Sequence, residues 1–500
     1  MMGSKAPEPK LYVSFDLDSQ IPRTHILRRL DEAVDFSFVR ELARPYYSHT
    51  GQPSVDPVVL FKLSLLGYLF GVVSERQLCQ DASLNLAWRW FLGYELDEAI
   101  PDHSVLSKAR RRFGVKVYEQ FFARVVKLCQ ERGLIQGKVL FLDSTQVAAD
   151  AAMKSLRPRP SKQKLGSARA YVHKVWHANI EEEPGEDGVR RTRPGRGVAN
   201  RELVSATDPE AQISARPGRP RQLSHKVHVG VDGGKDRIIT GAEVRPATEG
   251  DGQASAAMLD RHQKAVGSEV SELVADSGYT TEQTHQACAE RGVQAVLASI
   301  QRGGRRGTWS SQEFKYLAES DHYLCPAGQV LRPRFLHPAR RTTIYSAAAS
   351  TCAACPLKAQ CAPGKQERRI MRRWNQEIWD QAAAFSQSPQ GRQLLRRRGA
   401  VVEPVIGDLK IKHGLARAQF RGQGNLQIQT LLTAAVFNLK ALARRRPLPQ
   451  AGWAASAAPS ASRRLLAAVR QALSSVYRPP SLAFATLSTL QRGSPTLLFS

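Results

Sequence analysis

No segment of the 500-residue sequence contains the roughly 18 uninterrupted apolar residues of a membrane-spanning helix, so integration into a membrane is not expected. The first ten residues also have no apolar stretch of the kind found in secretory signal peptides. Both observations argue against a secreted or membrane protein. We therefore expect a chain that acts inside the cell.

Acidic residues are scarce compared with basic ones. The sequence has 45 Asp and Glu against 72 Lys and Arg, for a formal net charge of +27. Hydrophobic residues make up 42%, which is enough for a core and excludes disorder of the whole chain. Such an excess of positive charge predicts a polyanionic partner, with nucleic acid ahead of a membrane surface. A merely soluble basic protein is the weaker alternative.

Cysteine is also sparse, but four of the seven cysteines fall within 37 residues. They are Cys325, Cys352, Cys355 and Cys361. Inside a cell, clustered thiols indicate metal ligands rather than a disulfide framework. Four thiolates suit a tetrahedral structural Zn²⁺, provided that the chain between the first two cysteines forms a hairpin. The alternative is a set of reduced thiols in an exposed insertion.

The N-terminal part of the chain has helical patterns. After a flexible N-terminus, 1–20, we predict a helical DNA-binding domain over residues 21–135. Its last helix begins after the turn PDHS and contains the sequence VLSKARRRFG. This helix places Arg110, Arg111 and Arg112 together as candidate DNA contacts. A solvated helix face is the other interpretation.

Strands alternate with helices from residue 136 to 446, which predicts an α/β domain with a mixed sheet. Within it, residues 151–222 form a basic and largely irregular insertion, and residues 300–375 form the cysteine-cluster insertion. The last segment, 447–500, is rich in Ala, Ser, Pro and Leu and contains no acidic residue. We predict that this tail is mostly disordered.

Three acidic residues stand in unusual settings. Asp143 ends the apolar strand VLFLD, and Asp276 ends the apolar strand ELVAD. An acid at such a strand end needs a partner for its charge, and two adjacent ones would favour a divalent cation. Glu403 projects from an apolar helical segment, and Lys410 lies two turns later on the same face. Taken singly, each strand-end Asp is more often a turn or helix cap.

These motifs resemble those of bacterial insertion-sequence DDE transposases. FLDSTQVAADA resembles the first-Asp motif, ADSGYT the second, and VEPVIGDLK the Glu motif with its lysine. The helical segment from PSVDPVVLFKL to SKARRRFG is similar to the family's N-terminal domain, and the cysteine segment to an insertion in one subgroup. One departure concerns the arginine before the glutamate. The family spacing would put it at Gly399 and a tyrosine at Arg396, so Arg396, Arg397 and Arg398 become the candidate DNA-binding substitutes.

The resemblance implies an RNase H-like mixed-sheet catalytic core, an all-helical N-terminal domain and a cysteine-cluster insertion. It implies cleavage at insertion-sequence ends and strand transfer into target DNA by two-metal-ion phosphoryl transfer. Asp143, Asp276 and Glu403 would hold Mg²⁺ or Mn²⁺, with Lys410 on the DNA. The expected partners are double-stranded DNA, both terminal repeats and target, and further copies of the chain, in the bacterial cytoplasm at the nucleoid. Two alternatives are a zinc-containing DNA-binding protein without catalysis and a nuclease that cuts without joining.

Overall fold

The computed structural model describes residues 15–445, except residues 49, 52–53, 160–195, 216–217, 219, 299–308 and 339–340. The predicted tail and the middle of the basic insertion therefore lie outside the described residues. The described parts of that insertion, at the two ends of residues 151–222, are less irregular than predicted. They contain a short antiparallel pair, β2 (Leu156–Pro158) with β3 (Leu203–Ser205), and one short helix, α8 (Arg196–Glu202).

The N-terminal part is helical, as the sequence pattern predicts. Side-chain caps and glycines set its helix ends: Asp56 accepts a hydrogen bond from the backbone N–H of Val58, and Gly71 ends the same helix with φ +73°. The last long helix is interrupted at Gly114, whose φ is +59°. The helices are α1 (Leu17–Gln20), α2 (Ile26–Ala33), α3 (Phe38–Ala43), α4 (Pro57–Phe70), α5 (Glu75–Leu84), α6 (Leu86–Leu92) and α7 (Ser104–Glu131).

A six-stranded mixed sheet follows, with β1 at its centre. Strand β5 pairs with β1 antiparallel and β7 pairs with it parallel, while β8 extends the parallel side and β6 the antiparallel side. The short β4 pairs with the first residues of β5. The strands are β1 (Val139–Ala148), β4 (Gln212–Ser214), β5 (Gln222–Asp232), β6 (Ile239–Pro246), β7 (Glu272–Ala275) and β8 (Gln294–Leu297). This order, with one antiparallel neighbour of the central strand, is RNase H-like, and the predicted fold class is confirmed.

Helices cover both faces of this sheet. Helix α9 (Ser255–Val266) connects β6 to β7, and α10 (Glu282–Glu290) connects β7 to β8. Their apolar side chains pack with Leu140 and Leu142 of β1. The opposite face of β1, marked by Phe141, packs with α14 (Pro389–Ile411) and α15 (Gln423–Arg444) in the same hydrophobic cluster as the N-terminal helices. The N-terminal helices and the sheet therefore share one core.

The cysteine-cluster insertion carries its own antiparallel sheet. Its strands pair in the order β13-β12-β11-β10-β9, around buried Phe314, Tyr345 and Ile370. The strands are β9 (Lys315–Leu317), β10 (His322–Leu324), β11 (Val330–His337), β12 (Thr342–Ser346) and β13 (Arg369–Arg373). Two short helices, α11 (Ala349–Ala353) and α12 (Lys358–Cys361), lie between β12 and β13, and α13 (Gln376–Gln387) leads back to the core. The hairpin that the zinc prediction requires between Cys325 and Cys352 is formed by β11 and β12.

Helix α15 closes the edge of the six-stranded sheet. It is long and apolar enough to span a membrane, but 83% of its apolar window is buried within the fold, which is typical of a core helix. Its Gln427 accepts a hydrogen bond from the N–H of Val244 and donates one to the carbonyl of Ala242. Its Asn438 bonds both the N–H and the carbonyl of Ile239, at 2.9 and 2.8 Å. These amides satisfy backbone groups of the edge strand β6 that would otherwise be unpaired.

This arrangement predicts the effect of Asn438→Ala. The substitution leaves two buried backbone groups of Ile239 without partners, so unfolding free energy should fall by roughly 2–4 kcal/mol. Urea unfolding followed by circular dichroism measures the change. Asn425→Ala, at an exposed position of the same helix, is the matched control and should cost less than about 1 kcal/mol. Equal midpoints for the two variants would contradict the edge-closing role.

Candidate active site

Strand register brings Asp143 and Asp276 together. Phe141 of β1 lies opposite Val274 of β7 in the parallel ladder, and Leu142 lies opposite Ala275. Asp143 and Asp276 are the next residues along these two strands, and alternation places both on the face that packs against α14. Asp276 is further fixed by its own turn, in which its carboxylate accepts a hydrogen bond from the N–H of Gly278 at 2.9 Å.

Helix α14 supplies the third carboxylate and a cation that connects it to the first. Arg398 donates one hydrogen bond to Asp143 Oδ2 at 2.9 Å and another to Glu403 Oε1 at 3.1 Å. Two contacts thus connect the three acidic residues predicted from sequence: Asp143 lies beside Asp276 at the end of β1, and it shares Arg398 with Glu403. The family spacing would place this arginine at Gly399, and a Cβ there would lie 3.7 Å from Glu403 Oε1. Arg398 reaches the same site from one position earlier because its side chain is long.

The environment of Asp143 opposes its negative charge. Burial raises the pKa of its carboxyl to about 6, and the neighbouring charge of Asp276 acts in the same direction. The N–H of Ser144 and the guanidinium of Arg398 act against this rise by binding the charged form. The pKa of Asp143 is raised even though Arg398 lies beside it. The positive charge around this carboxyl is therefore not enough to offset its burial. A divalent cation would supply that charge.

The other predicted cations of α14 have different positions. Lys410 Nζ donates to the carbonyl of Gln146, three residues beyond Asp143 on β1, at 2.9 Å. Arg397 donates to the carbonyl of Gly233 at 2.7 Å. Arg396 is exposed. Lys410 and Glu403 therefore lie on the face of α14 that meets β1, as the two-turn spacing predicts, whereas Arg397 contacts the β5–β6 hairpin.

The carboxylates fit a divalent metal in chemistry, though their present arrangement holds an arginine instead. Among the residues that the structure describes, no three His, Cys, Asp or Glu side chains form a ready-made metal site. The guanidinium of Arg398 lies between Asp143 and Glu403, where it satisfies both oxygens with one positive charge. Metal binding by these two residues would require Arg398 to release at least one of them.

A fourth carboxylate, Asp251, lies behind the Asp276 turn and was not predicted from sequence. Its Oδ1 accepts from Ser144 Oγ and pairs with Lys226 Nζ, both at 2.9 Å. Its Oδ2 lies so close to Gly278 that a Cβ there would meet it at 2.5 Å. The segment RPATEGDG places this acid in a loop rather than at a strand end, so the strand-end criterion could not find it.

The three arginines proposed as DNA contacts in the helical domain differ in how exposed their side chains are. Arg110 forms an ion pair with Glu75 and stacks over Phe420 at 3.7 Å, with only 12% of its side chain exposed. Its guanidinium is thus used inside the fold, which argues against the predicted DNA contact. Arg111 and Arg112 are exposed, and Arg112 lies 4.7 Å over the ring of Tyr47.

The four clustered cysteines line one cavity of the insertion, together with Phe314 and Leu331. All four are partly buried free thiols. Burial raises the pKa of the Cys361 thiol, and the three neighbouring cysteines raise it further. Cys325 Sγ also accepts a hydrogen bond from the N–H of Gln329 at 3.3 Å. The structure brings the four thiols together, but not in the geometry of a preformed metal site.

Comparisons with known proteins locate two transposase domains in the chain. The family model "Transposase domain (DUF772)" matches residues 15–112, and the model "Transposase DDE domain" matches residues 324–443. No curated protein matches the chain.

Two solved structures are similar at low levels. The Mos1 transposase paired-end complex with left transposon end has 10% sequence identity and a TM-score of 0.15, covering 50% of this chain and 60% of that one. The piggyBac transposase synaptic complex with hairpin DNA has 11% identity and a TM-score of 0.25, covering 83% and 76%. With TM-scores this low, neither structure carries an argument about this chain.

The raised pKa of Asp143 predicts a pH-dependent effect of Asp143→Asn in metal-free protein. Because the folded-state pKa of about 6 exceeds the ordinary 3.8, this group favours folding at low pH, and that contribution is lost as pH rises through 6. The neutral amide should therefore stabilise the fold by roughly 1–3 kcal/mol at pH 7.5 and by little at pH 4.5. Denaturant unfolding in EDTA measures this. Asp408→Asn, at a partly exposed acid of the same helix that pairs with Lys412, is the matched control. A gain in Asp143→Asn that does not depend on pH would refute the assignment.

Proposed function

We infer that this chain, whose two matched domains support a DDE transposase, cleaves DNA at the ends of an insertion element and transfers the cut strands into target DNA. The observation that carries this inference is that Asp143 lies beside Asp276 at the end of β1 and shares Arg398 with Glu403. The cleft has one raised-pKa carboxyl and is bordered by cations, which suits a phosphodiester substrate.

Each residue of the site has a distinct role in this mechanism. Asp143, Asp276 and Glu403 would hold divalent cations, most naturally Mg²⁺ or Mn²⁺ because their oxygens are hard ligands. Cations bound there would activate the attacking hydroxyl and stabilise the leaving oxygen. Arg398, which pairs with Asp143 and Glu403, would be available to a phosphate if cations took over that pairing. Lys410 lies further along β1 and positions the DNA strand rather than joining the chemistry.

The partner in this proposal is double-stranded DNA, both element ends and target. The net charge of +27 supplies affinity for the backbone, which should weaken steeply with salt. Arg111 and Arg112 remain candidate contacts in the helical domain, and Arg396 in α14. Action on two element ends favours a homodimer or larger assembly on DNA, in the bacterial cytoplasm. A nuclease that cuts without joining would use the same carboxylates, so strand transfer must be measured directly.

The first functional test replaces the carboxylates singly with their amides: Asp143→Asn, Asp276→Asn and Glu403→Gln. Each should lower cleavage and strand transfer of a duplex carrying the element's ends by roughly 10³-fold or more, because metal stabilisation of the transition state contributes several kcal/mol. DNA affinity in EDTA should be retained. Asp408→Asn serves as the control on the same helix. Unchanged strand transfer in Asp143→Asn or Glu403→Gln would exclude this mechanism and favour a DNA-binding protein without catalysis.

We also propose that Cys325, Cys352, Cys355 and Cys361 bind one structural Zn²⁺. The support is their shared cavity, their mutual effect on the pKa of Cys361 and the N–H bonded to Cys325 Sγ. A cation would relieve the repulsion between neighbouring thiolates, and four sulfur ligands leave no open position for catalysis. The metal would therefore stabilise the insertion rather than take part in phosphoryl transfer.

Metal analysis tests the zinc proposal. Purified protein should contain about one zinc per chain, and Cys352→Ser/Cys355→Ser should lose it and melt at a lower temperature, because structural zinc contributes folding free energy. Cys79→Ala, at a cysteine in helix α5, is the control and should retain the metal. Zinc-free native protein, or full zinc in the double variant, would contradict the proposal.

A further inference from the structure

The loop that follows the catalytic helix is fixed to the end of β1. This segment, residues 412–422, connects α14 to α15 and is called the arginine loop below. The N–H of Ala148 donates to the carbonyl of Ala416 at 3.2 Å, and the N–H of Ala418 donates to the carbonyl of Ala148 at 2.8 Å. A parallel bridge thus joins Arg417 to Ala148. The loop therefore pairs with the last residue of β1.

Its backbone is also held from the helix side. Gln429 of α15 accepts a hydrogen bond from the N–H of Gln419 and donates to the carbonyls of Gly414 and Arg417. Within the loop, the side chains of Leu415 and Ala418 are buried. An exposed loop with this many internal bonds has little conformational freedom to lose when a ligand binds.

Two arginines project from this rigid backbone. The side chains of Arg417 and Arg421 are 66% and 63% exposed, and both approach Asp150, at 3.6 and 3.5 Å. These distances exceed the roughly 2.7–2.9 Å of a strong charge-assisted hydrogen bond, and exposed pairs of this kind contribute little to stability. Asp150 can therefore orient the two guanidinium groups in the absence of DNA without competing strongly with a phosphate.

Lys410 and Arg417 contact β1 at increasing distances from the carboxylates. Lys410 contacts the strand at Gln146, about 10 Å along it from Asp143, and Arg417 meets it at Ala148, about 17 Å along it. DNA rises about 3.4 Å per nucleotide, so for a DNA backbone that lies along β1 the second distance corresponds to about five base pairs. We propose that Arg417 and Arg421 bind the DNA backbone about five base pairs from the scissile phosphate. This proposal rests on the proposed function, because that function defines the position of the scissile phosphate.

Positive charge alone does not distinguish Arg417 and Arg421, because basic side chains occur over much of this chain. What distinguishes them is that their loop is bonded to the strand that carries Asp143, which fixes their distance from the reacting phosphate. Backbone contacts at a fixed distance set the register of the DNA without reading its sequence. The arginine loop would thus align the strand for cleavage.

Salt-dependent binding provides the first test. In EDTA, Arg417→Ala/Arg421→Ala should lower the slope of log affinity against log salt by about two units on a mixed-sequence duplex, since each lost phosphate contact removes about 0.9. Arg417→Lys/Arg421→Lys should keep the slope. Lys264→Ala, at an exposed position of α9 on the opposite face of the sheet, is the matched control and should leave it unchanged. An unchanged slope in the double alanine variant overturns the proposal, whatever its melting temperature.

The position of the contact is tested with neutral phosphates. Methylphosphonates are placed one at a time in an element-end duplex whose cleavage site has been mapped with the wild-type chain. Substitution about five base pairs from the cut should weaken binding of the wild-type protein, and this loss should disappear in the double alanine variant. An equal loss in both proteins overturns the proposal. A reduced salt slope with no cleavage by the wild-type chain would instead keep the contact and reject the proposed function.

Discussion

The backbone pairing of strand β1 is the constraint on which the site depends. Its parallel ladder with β7 sets Asp143 beside Asp276, and its antiparallel ladder with β5 keeps it at the centre of the sheet. The same strand receives Lys410 at Gln146 and the arginine loop at Ala148. The distances between side chains that are far apart in sequence are thus set by one strand, which rises about 3.3 Å per residue. A shift of one residue would turn Asp143 to the wrong face.

Electrostatic balance is the second constraint. Acidic side chains gathered in a partly buried cleft repel one another, and burial raises the pKa of Asp143. Arg398 compensates by bridging two of them, Asp143 and Glu403, yet the pKa of Asp143 stays raised. In the proposed function, a divalent cation held by these carboxylates would supply the positive charge that Arg398 alone does not.

Helix α15 couples the helical region to the catalytic sheet. It contacts helices α2, α4 and α7 as well as strand β6, and its Gln427 and Asn438 complete the hydrogen bonds of that edge strand. A division into independent helical and catalytic domains at residue 135 therefore does not describe the packing, because one hydrophobic cluster crosses that boundary. DNA contacts made by the helical region would be held at fixed distances from the carboxylates. In the proposed function, such fixed distances would suit cleavage at a defined place.

The sequence by itself indicated the helical N-terminal part and the main strands of the mixed sheet, and it singled out the three acids as candidates. Apolar strands ending in Asp143 and Asp276, and the seven-residue interval from Glu403 to Lys410, are local patterns that fix which face a side chain takes. Tertiary structure decided which residues meet. Arg398 replaces the expected position 399, Arg110 is used internally against Glu75, and Asp251 and Arg417 approach β1 from distant loops. These outcomes depend on side-chain reach and on the register between separate segments, which periodicity within a single segment does not encode.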